Sequence, residues 1–492
     1  MKKICMILIG VLGFVSCSDW LDVQPKTAIP GDKLFETEEG FKDALTGFYI
    51  KMGDVGLYGK ELSYGYLEVL SCNYDNYPDY STIQWKPRIY EYDNLFLDKK
   101  DGIYLKMYNI IVNINNFLTY IEKNRSVIKT KHYYEVMKAE ALGLRAFLHF
   151  DLLRLFGPVY RVNPTAKSIA YRTTFDRDAT PLLPANQVVD LVIQDLLVAD
   201  SLLEEHDTRF FRKNWEREDL PEYNVFLDRR EVRMNVYAVK AMLARVYCYK
   251  GDDESKMKAV EYANEVIDAP YFELYKNANS FLYEEQIFGL NIFEFDKIIT
   301  EHFNTAIDYT SAGQHFNIEK SRFEKMYEWG EGGNSDWRSS TPCFKEKDDG
   351  KKYEYCRKYE QDNLGEETGK DMLALIRLPE MYYIVAECGD VAASADALNT
   401  VRWARGISYD DEIIADAHYD ALDSRPGYDQ TQSFRVNELM KEYRKEFFAE
   451  GKLFYFYKLH NYITYDGAPL KDVRDKYKWP VPDNEIIFGN NN

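Results

Sequence analysis

Residues 235–267 read NVYAVKAMLARVYCYKGDDESKMKAVEYANEVI and contain the clearest helical pattern in the chain. Small and apolar residues recur at helical spacing from Ala238 to Tyr247 and again from Ala259 to Val266. The dipeptide Gly251-Asp252 lies between the two runs, where the chain is expected to turn. Two helices with small facing residues are typical of tetratricopeptide-type repeats. Such a pair buries its apolar face only by stacking on neighbouring pairs.

Three further stretches show the same helical spacing of small and apolar residues: residues 136–156, 187–203 and 375–405. The last stretch contains Gly389-Asp390, which repeats the Gly-Asp turn of the first pair. Few stretches alternate apolar and polar residues as an exposed strand does. We therefore expect a mainly α fold in which about four imperfect tetratricopeptide-like helical pairs form the scaffold.

Two regions lack the helical pattern. One is residues 58–92, which are expected to be non-helical and are rich in tyrosine, and the other is approximately residues 270–370. Long loops in a compact domain are usually functional or disordered, and strings of Tyr and Trp argue against disorder. We expect a single domain over residues 17–492, with the helical scaffold at about 30–270 and 371–465. The insertion at about 270–370 is expected to be irregular, loop-rich and ligand-binding.

Residues 1–16 have the composition of a lipoprotein signal peptide. Two lysines precede an apolar stretch at residues 4–15 that is too short to span a bilayer. Ser16 precedes Cys17, the pattern cut by the signal peptidase that leaves a lipid-modified cysteine as the first residue. Phe14 stands where leucine is usual, so ordinary secretion is the alternative. No later run of 18 or more apolar residues exists, so we expect an anchor through Cys17 that does not cross the membrane.

Composition and charge exclude several classes of partner. The chain has 492 residues, of which 46% are hydrophobic and 29% charged, as is usual for a globular protein. Its formal charge is -19, and removal of the two lysines in the signal peptide makes the mature chain about -21. So acidic a protein is not expected to bind nucleic acid or anionic lipid.

No pattern of a known catalytic site is present. The chain has no Gly-x-Ser-x-Gly elbow, no His-Glu-x-x-His pair, no phosphate-binding loop and no dinucleotide fingerprint. Its seven histidines lack the short paired spacing of zinc ligands. We expect no catalytic residue, no metal site and no cofactor, and leave open a structural Ca²⁺ among acids such as Asp348 and Asp349.

The cysteine count does not indicate a disulfide framework. Cys5 lies in the signal peptide and Cys17 is the expected lipid site. The remaining cysteines number five, so at least one of them has no cysteine to pair with in the chain. These five are Cys72, Cys248, Cys343, Cys356 and Cys388. Cys343 and Cys356 are near enough along the chain to close a short loop in an oxidising compartment.

Six segments spread along nearly the whole chain carry a family pattern. They are residues 17–25 (CSDWLDVQP), 139–159 (ending RLFGPV), 375–382 (LIRLPEMY) with Ala386-Glu387, 398–402, 442–447 (EYRKEF) with Glu450-Gly451, and 479–486 (WPVPDNEI). On these segments the chain resembles the SusD/RagB family of outer-membrane nutrient-binding lipoproteins. It departs from the family at residues 452–459, where members often carry Arg and then Asp-Leu. This departure bears on which subfamily the chain resembles more than on the resemblance to the family.

The resemblance implies a non-catalytic protein on the outside of a bacterial outer membrane. Such a protein caps a TonB-dependent, SusC-like transporter and hands it an oligosaccharide or, in some members, a peptide. The matched motifs are structural and do not contact the ligand. Their charged residues are expected to form buried or half-buried ion pairs that fix helix packing. These residues are Arg377, Glu380, Glu387, Arg444 and Glu446.

Carbohydrate capture requires aromatic faces that lie against the apolar side of sugar rings, beside polar groups that hydrogen-bond the hydroxyls. Residues 74–85 supply both in one loop, and the Gly-rich neighbourhood of residues 329–337 is expected to supply the opposite wall. The candidate ligand-binding residues are Tyr74, Asp75, Asn76, Tyr77, Trp85, Trp329 and Trp337.

Each of these assignments has a structural alternative. Loop tyrosines commonly pack a loop onto its scaffold, and Asp336 with Arg338 is interpretable as a structural pair around Trp337. The same aromatic residues also suit an interface with the transporter. Glycan binding therefore stands beside two alternative functions, peptide binding and a purely structural lid for the transporter.

Overall fold

The computed structural model describes residues 31–75, 90, 94–207, 225–227, 229–276, 281–303, 315–340, 343–346, 353–360 and 369–488. The α-helices in these ranges are α1 (Gly31–Leu34), α2 (Glu38–Met52), α3 (Tyr66–Leu70), α4 (Asn94–Lys123), α5 (Tyr133–Phe156), α6 (Ala185–His206), α7 (Val236–Lys250), α8 (Asp253–Ile267), α9 (Phe281–Glu284), α10 (Phe295–Phe303), α11 (Lys320–Met326), α12 (Leu378–Cys388), α13 (Val391–Ala404), α14 (Phe434–Glu446), α15 (Leu453–Leu459) and α16 (Asp483–Phe488). The strands are β1 (Gln286–Asn291), β2 (Ile318–Glu319), β3 (Phe344–Glu346), β4 (Tyr353–Cys356) and β5 (Met372–Arg377).

The hairpin of α7 and α8 forms where the sequence predicts it. The side chain of Asn235 caps α7 by accepting a hydrogen bond from the Ala238 N–H at 2.9 Å. Gly251 ends the helix with a φ of +75°, a conformation that glycine adopts without steric cost. Asp252 then caps α8 by accepting from the Ser255 N–H at 3.0 Å. Each side-chain cap contributes about 1 kcal/mol, so the local sequence fixes both the turn and the start of each helix.

The predicted second Gly-Asp turn joins α12 to α13, and Asp390 caps α13 through the Ala393 N–H at 2.9 Å. The prediction of helix from residue 375 is wrong for its first three residues, because β5 continues to Arg377 and α12 begins at Leu378. Every residue of β5 is buried, and periodicity alone does not distinguish a short buried strand from a buried helix. Pro379 in the first turn of α12 marks the true start of the helix.

Successive helices pack side by side through most of the chain. Helix α2 packs on α4, α4 on α5, α5 on α6, α6 on α7, α7 on α8, α8 on α12 and α12 on α13. This order gives four pairs of neighbouring helices, α2 with α4, α5 with α6, α7 with α8 and α12 with α13. The mainly α fold class is therefore confirmed, and the scaffold is a stack of helical pairs.

The two regions predicted to be irregular contain some regular structure. Helix α3 lies inside residues 58–92 and is completely buried, so the prediction of a wholly non-helical segment there is wrong. Strands β1 and β5 pair antiparallel, with Leu290 opposite Leu373. Strands β2, β4 and β3 form a second sheet in that order. Because β1 is buried against β5, the region after residue 270 begins as part of the core.

Buried ion pairs connect the C-terminal helices, as the sequence predicts. Arg377 is fully buried and contacts Glu285 at 2.7 Å, Glu446 at 2.8 Å and Glu450 at 2.7 Å. Arg405 joins the same group through Glu285 and Glu446. We call these five residues the charged core. Because each charge has oppositely charged partners within hydrogen-bond distance, the cost of burying it is offset.

The other predicted pairs are also present. Glu380 bonds Arg245, Glu387 bonds Arg161, and Arg444 bonds Asp466. The part of the chain that the structure describes contains no helix long and apolar enough to cross a membrane.

Candidate functional site

Tyr74 lies in the core. Its exposed fraction is 0%, its ring stacks on Phe316 with centroids 4.7 Å apart, and its hydroxyl donates to the Tyr64 carbonyl at 2.8 Å. The ring therefore has no face available to a ligand, and the assignment of Tyr74 as a binding residue is not supported. Its ring anchors the start of the loop to the scaffold, which was the structural alternative for loop tyrosines.

Asp75 follows Tyr74 and is held by several polar contacts. Its carboxylate contacts Arg322 of α11 at 2.8 Å and accepts a hydrogen bond from the Glu319 N–H at 2.8 Å. Its own N–H donates to the Asn317 carbonyl at 2.7 Å. These bonds fix the start of the loop against β2 and α11. Asn76, Tyr77 and Trp85 lie outside the described residues.

A chain of polar contacts continues from Asp75 into the protein. Arg322 also contacts Asp466, which accepts a hydrogen bond from Arg444 at 2.9 Å. Although burial opposes ionisation, Arg444 and Arg322 hold the pKa of Asp466 below its ordinary value. The carboxylate therefore stays charged and keeps both guanidinium groups in place.

The innermost member of this chain is Glu68 on α3. Arg444 donates to Asn73, whose amide donates to Glu68 at 2.6 Å, and the Gly451 N–H donates to the same carboxyl group at 2.7 Å. Complete burial raises the pKa of Glu68 to about 7, against the lowering effect of these hydrogen bonds. Burial therefore moves the titration of the Glu68 carboxyl group towards neutral pH.

Trp329 is on the surface, three residues beyond the end of α11. Its exposed fraction is 41%, its indole N–H donates to the Ser339 hydroxyl at 3.2 Å, and its ring lies edge-on to Phe323 at 5.7 Å. The following loop has φ values of +87° at Gly330 and +98° at Gly332, which explains the glycine-rich sequence. Trp329 is thus an aromatic surface residue held in a fixed orientation.

Trp337 has a different environment, although the sequence assigned it the same role. Its side chain is half-buried, its indole N–H donates to the Ala404 carbonyl at 2.8 Å, and its ring lies 5.1 Å from the Arg405 guanidinium. Asp336 and Arg338 form a buried ion pair at 2.6 Å on either side of it, which confirms the predicted structural alternative. Trp337 therefore rests on the charged core.

A second exposed aromatic residue, which the sequence analysis missed, lies beside the Trp329 loop. Tyr409 has an exposed fraction of 70%, and its ring lies 4.6 Å from that of Trp403. The carboxylate of Asp411 lies close against Gly332, so this segment contacts the loop that follows Trp329. The signal in the sequence was the run Ser408-Tyr409-Asp410-Asp411, an aromatic residue beside acids in a loop. We call Trp329, Tyr409 and Asp411 the aromatic rim.

An apolar groove of 1030 Å³ lies between α2, α4 and the end of β1. Phe293 has an exposed fraction of 84%, and Ile50, Val55 and Leu105 are also exposed along the groove. Isolated exposed apolar residues are ordinary, but four of them around one groove form a patch of the kind that binds other molecules.

The described residues contain no group of three or more His, Cys, Asp or Glu side chains that could hold a metal ion. Asp348 and Asp349, which the sequence analysis named for calcium, lie outside the described residues.

Two family models match the chain. One, described as SusD-like and as starch-binding and associating with the outer membrane, matches residues 19–214. The other, described as the SusD family, matches residues 269–458. The chain belongs to the SusD/RagB family. Members of this class are non-catalytic carbohydrate-binding proteins that associate with the outer membrane.

Solved structures agree with this assignment. A SusD superfamily protein from Bacteroides thetaiotaomicron matches with a TM-score of 0.67 and 19% identity over 92% of this chain and 98% of the other. A SusD-like carbohydrate-binding protein from Bacteroides vulgatus matches with a TM-score of 0.65 and 16% identity over 92% of this chain and 97% of the other. At these identities the likeness concerns the fold. The comparison with curated proteins gave no match.

Proposed function

We propose that this protein is a cell-surface lipoprotein that binds oligosaccharides or polysaccharides and delivers them to a TonB-dependent, SusC-like outer-membrane transporter. Membership of the SusD/RagB family is the observation that carries the proposal. The aromatic rim supports it, because an exposed indole beside carboxylates has the chemistry that recognises sugar rings.

In this proposal the ligand lies across the aromatic rim. The faces of Trp329 and Tyr409 pack against the C–H side of sugar rings, and Asp411 accepts hydrogen bonds from hydroxyls. The bond from Trp329 to Ser339 fixes the indole before the ligand arrives, which reduces the entropy lost on binding. Asp75 is bonded to Arg322 of α11, and the residues that follow it are proposed to supply further contacts through Asn76, Tyr77 and Trp85.

The test of this function is binding by the purified mature protein to a panel of host, plant and microbial polysaccharides and to peptide mixtures. Calorimetry gives the affinity, and tryptophan fluorescence reports contact with the rim. Saturable glycan binding with a fluorescence change supports the proposal. Binding of peptides alone favours a peptide carrier, and binding of neither class favours a structural lid.

We further propose that a lipid on Cys17 anchors the protein to the outer membrane, facing the cell exterior. A lipid-modified cysteine at the start of a folded domain would account for association with the outer membrane. The substitution Cys17→Ala should release the protein from washed membranes of cells that lack the transporter. Retention in those membranes would contradict a lipid anchor at this residue.

The apolar groove is the surface that we propose for contact with the transporter. Apolar centres with charged rims are typical of protein interfaces, and Lys51, Asp54 and Lys106 border the groove. A sugar site requires convergent polar groups at its centre, whereas the exposed side chains at the centre of our proposal for this groove are the apolar Ile50, Leu105 and Phe293. The substitution Phe293→Asp should weaken co-purification of the transporter, while Tyr409→Ala should leave it unchanged.

A further inference from the structure

Two histidines that are 74 residues apart in the chain have side chains in direct contact. His132 immediately precedes α5, and His206 is the last residue of α6. Their Nδ1 atoms lie 2.9 Å apart, and their ring centroids lie 5.1 Å apart with the ring planes inclined at 44°. Both side chains are half-buried. The sequence did not indicate this pair, because its members come from different helices and lack the short spacing of metal ligands.

The backbone is fixed on both sides of this contact. His132 has a φ of +70°, a left-handed conformation that costs energy for a residue with a side chain and persists only where its surroundings hold it. Asp207 follows His206 and is buried, and its carboxylate bonds Arg230 at 2.8 Å. Helix α5 also packs along α6. The packing of the helical pair therefore brings the two imidazole rings together, so little freedom is lost when both bind one ligand.

The spacing of the two nitrogen atoms suits a shared metal ion. Bonds from a metal to imidazole are about 2.0–2.1 Å long, so two such nitrogens lie about 2.9 Å apart at adjacent square-planar or octahedral positions and about 3.3 Å apart at tetrahedral ones. The observed separation of 2.9 Å lies at the short end of this range. In the structure, one Nδ1–H donates to the other Nδ1. An ion that replaces this proton requires only that each ring turn its lone pair towards a common point.

The electrostatic surroundings of the pair favour a cation. His206 ends α6, where the helix dipole places a partial negative charge. The carboxylate of Glu205 lies 3.9 Å from the His206 Nε2 atom, the ring nitrogen that does not face His132. A carboxylate behind a metal-bound imidazole orients the ring and makes it a stronger ligand. The net negative charge of the whole chain also attracts divalent cations.

We propose that His132 and His206 bind a divalent transition-metal ion through their Nδ1 atoms, with water in the remaining coordination positions. The described residues offer no group of three ligand side chains, so the site has two protein ligands. Imidazole suits Zn²⁺, Ni²⁺ and Cu²⁺, and Cu²⁺ binds a given set of nitrogen ligands most tightly. Ca²⁺ and Mg²⁺ prefer oxygen ligands and do not suit this pair. The ion joins the start of α5 to the end of α6 and cross-links this helical pair.

Other described histidines and cysteines provide comparisons. His149 is fully buried, and both of its ring nitrogens are hydrogen-bonded. Cys343 and Cys356 are free thiols, so the short-loop disulfide considered from the sequence is absent. Burial raises the pKa of each of these thiols to about 12, so neither readily supplies a thiolate to a metal. The His418 side chain is 89% exposed and serves as the control for a single surface histidine.

The test is calorimetric titration of the untagged mature chain, carrying Cys17→Ala, with chlorides of Zn²⁺, Ni²⁺ and Cu²⁺. We expect saturable binding at about pH 7.5 that weakens at about pH 5, because protons compete with the metal for imidazole. Saturating Zn²⁺ should raise the melting temperature, since the ion binds the folded protein. Chlorides of Ca²⁺ and Mg²⁺ should produce neither effect. Electron paramagnetic resonance of the Cu²⁺ complex should show two imidazole nitrogen ligands.

Matched variants assign the metal to this pair. His132→Asn and His206→Gln keep polar side chains, and Asn tolerates the left-handed backbone at residue 132. Each variant should weaken binding at least about 100-fold, because the second imidazole supplies the gain from two-point attachment. His418→Gln should bind like the original protein. Equal binding by the original protein and both variants at the pair would place the metal elsewhere and overturn the proposal. Absence of binding by the original protein would also overturn it and leave the pair as a hydrogen bond only.

Discussion

Trp329 and Trp337 are eight residues apart and looked alike in the sequence, but their surroundings in the structure are opposite. Trp329 is open to solvent and has one hydrogen bond to a serine hydroxyl. Trp337 bonds a main-chain carbonyl and covers Arg405, which belongs to the charged core. One tryptophan has a ring that is partly open to solvent, and the other covers a buried arginine.

The surroundings of Trp337 explain how the protein supports the exposed aromatic residue Trp329. Arg338 follows Trp337 and bonds Glu442 and Glu446 on α14, so the base of the loop is tied to the charged core. Between Trp329 and Trp337, Gly330 and Gly332 adopt positive φ values that let the chain turn. A rigid base allows the aromatic rim to keep one orientation without being buried, which favours binding by a preformed surface.

Breaking the charged core should cause the greatest loss of stability. The substitution Arg377→Met leaves Glu285, Glu446 and Glu450 without their shared cation in a fully buried site. Removing one partner of such a buried group costs about 3–5 kcal/mol. We expect the free energy of unfolding to fall by this amount in urea denaturation.

Lys325→Met is the matched control at the surface. The Lys325 side chain is 73% exposed and lies 3.4 Å from Asp466, so its pairing is screened by water. The same Met replacement there should change the free energy of unfolding by no more than about 0.5 kcal/mol. Equal losses in the two variants would show that the charged core is no more important to stability than the surface.

The second effect depends on pH and concerns Glu68. Its pKa is raised to about 7 in the folded protein by burial, compared with about 4.5 in the unfolded chain. Folding favours the protonated form of Glu68. The contribution of Glu68 to the free energy of unfolding therefore falls as the pH rises from about 4.5 to above 7. The difference between the two pKa values corresponds to about 3 kcal/mol.

The substitution Glu68→Gln removes this titration while imitating the protonated acid. Between pH 4 and pH 8, the variant should therefore gain up to about 3 kcal/mol of stability relative to the original protein. Carboxylates such as Asp466 act in the opposite direction in both proteins, because a lowered pKa means stability lost at acid pH. A stability difference between variant and original protein that does not change with pH would refute the assignment of Glu68.

The scaffold was predictable because its signals are local. The Gly-Asp turns at residues 251 and 389, the spacing of small residues and the charged motifs each specify a cap, a face or an ion pair. The candidate site was less predictable, since exposure depends on contacts between distant segments. Nothing near Tyr74 shows that Phe316 covers its ring, and nothing near Trp337 shows that Arg405 lies beneath it.

The third effect tests the structural role of Trp337. The substitution Trp337→Phe keeps a ring over Arg405 but removes the N–H that bonds the Ala404 carbonyl. Loss of this bond and of the better cation–π partner should cost about 2 kcal/mol of unfolding free energy. We expect glycan affinity measured by calorimetry to stay unchanged below the melting range, because the Trp337 ring packs on Arg405. A loss of glycan affinity without a loss of stability would show that Trp337 belongs to the binding surface.

The smallest and most specific effect is expected at Trp329. The substitution Trp329→Ala removes the exposed ring and should weaken glycan binding about tenfold, which equals about 1.4 kcal/mol. Because the indole is 41% exposed, lies edge-on to Phe323 and makes one hydrogen bond to Ser339, the free energy of unfolding should change little. The Trp329→Phe variant keeps a smaller stacking face. Its glycan affinity should lie between that of the original protein and that of Trp329→Ala. If Trp329→Ala leaves affinity intact while Trp337→Phe reduces it, Trp337 binds the ligand and Trp329 does not.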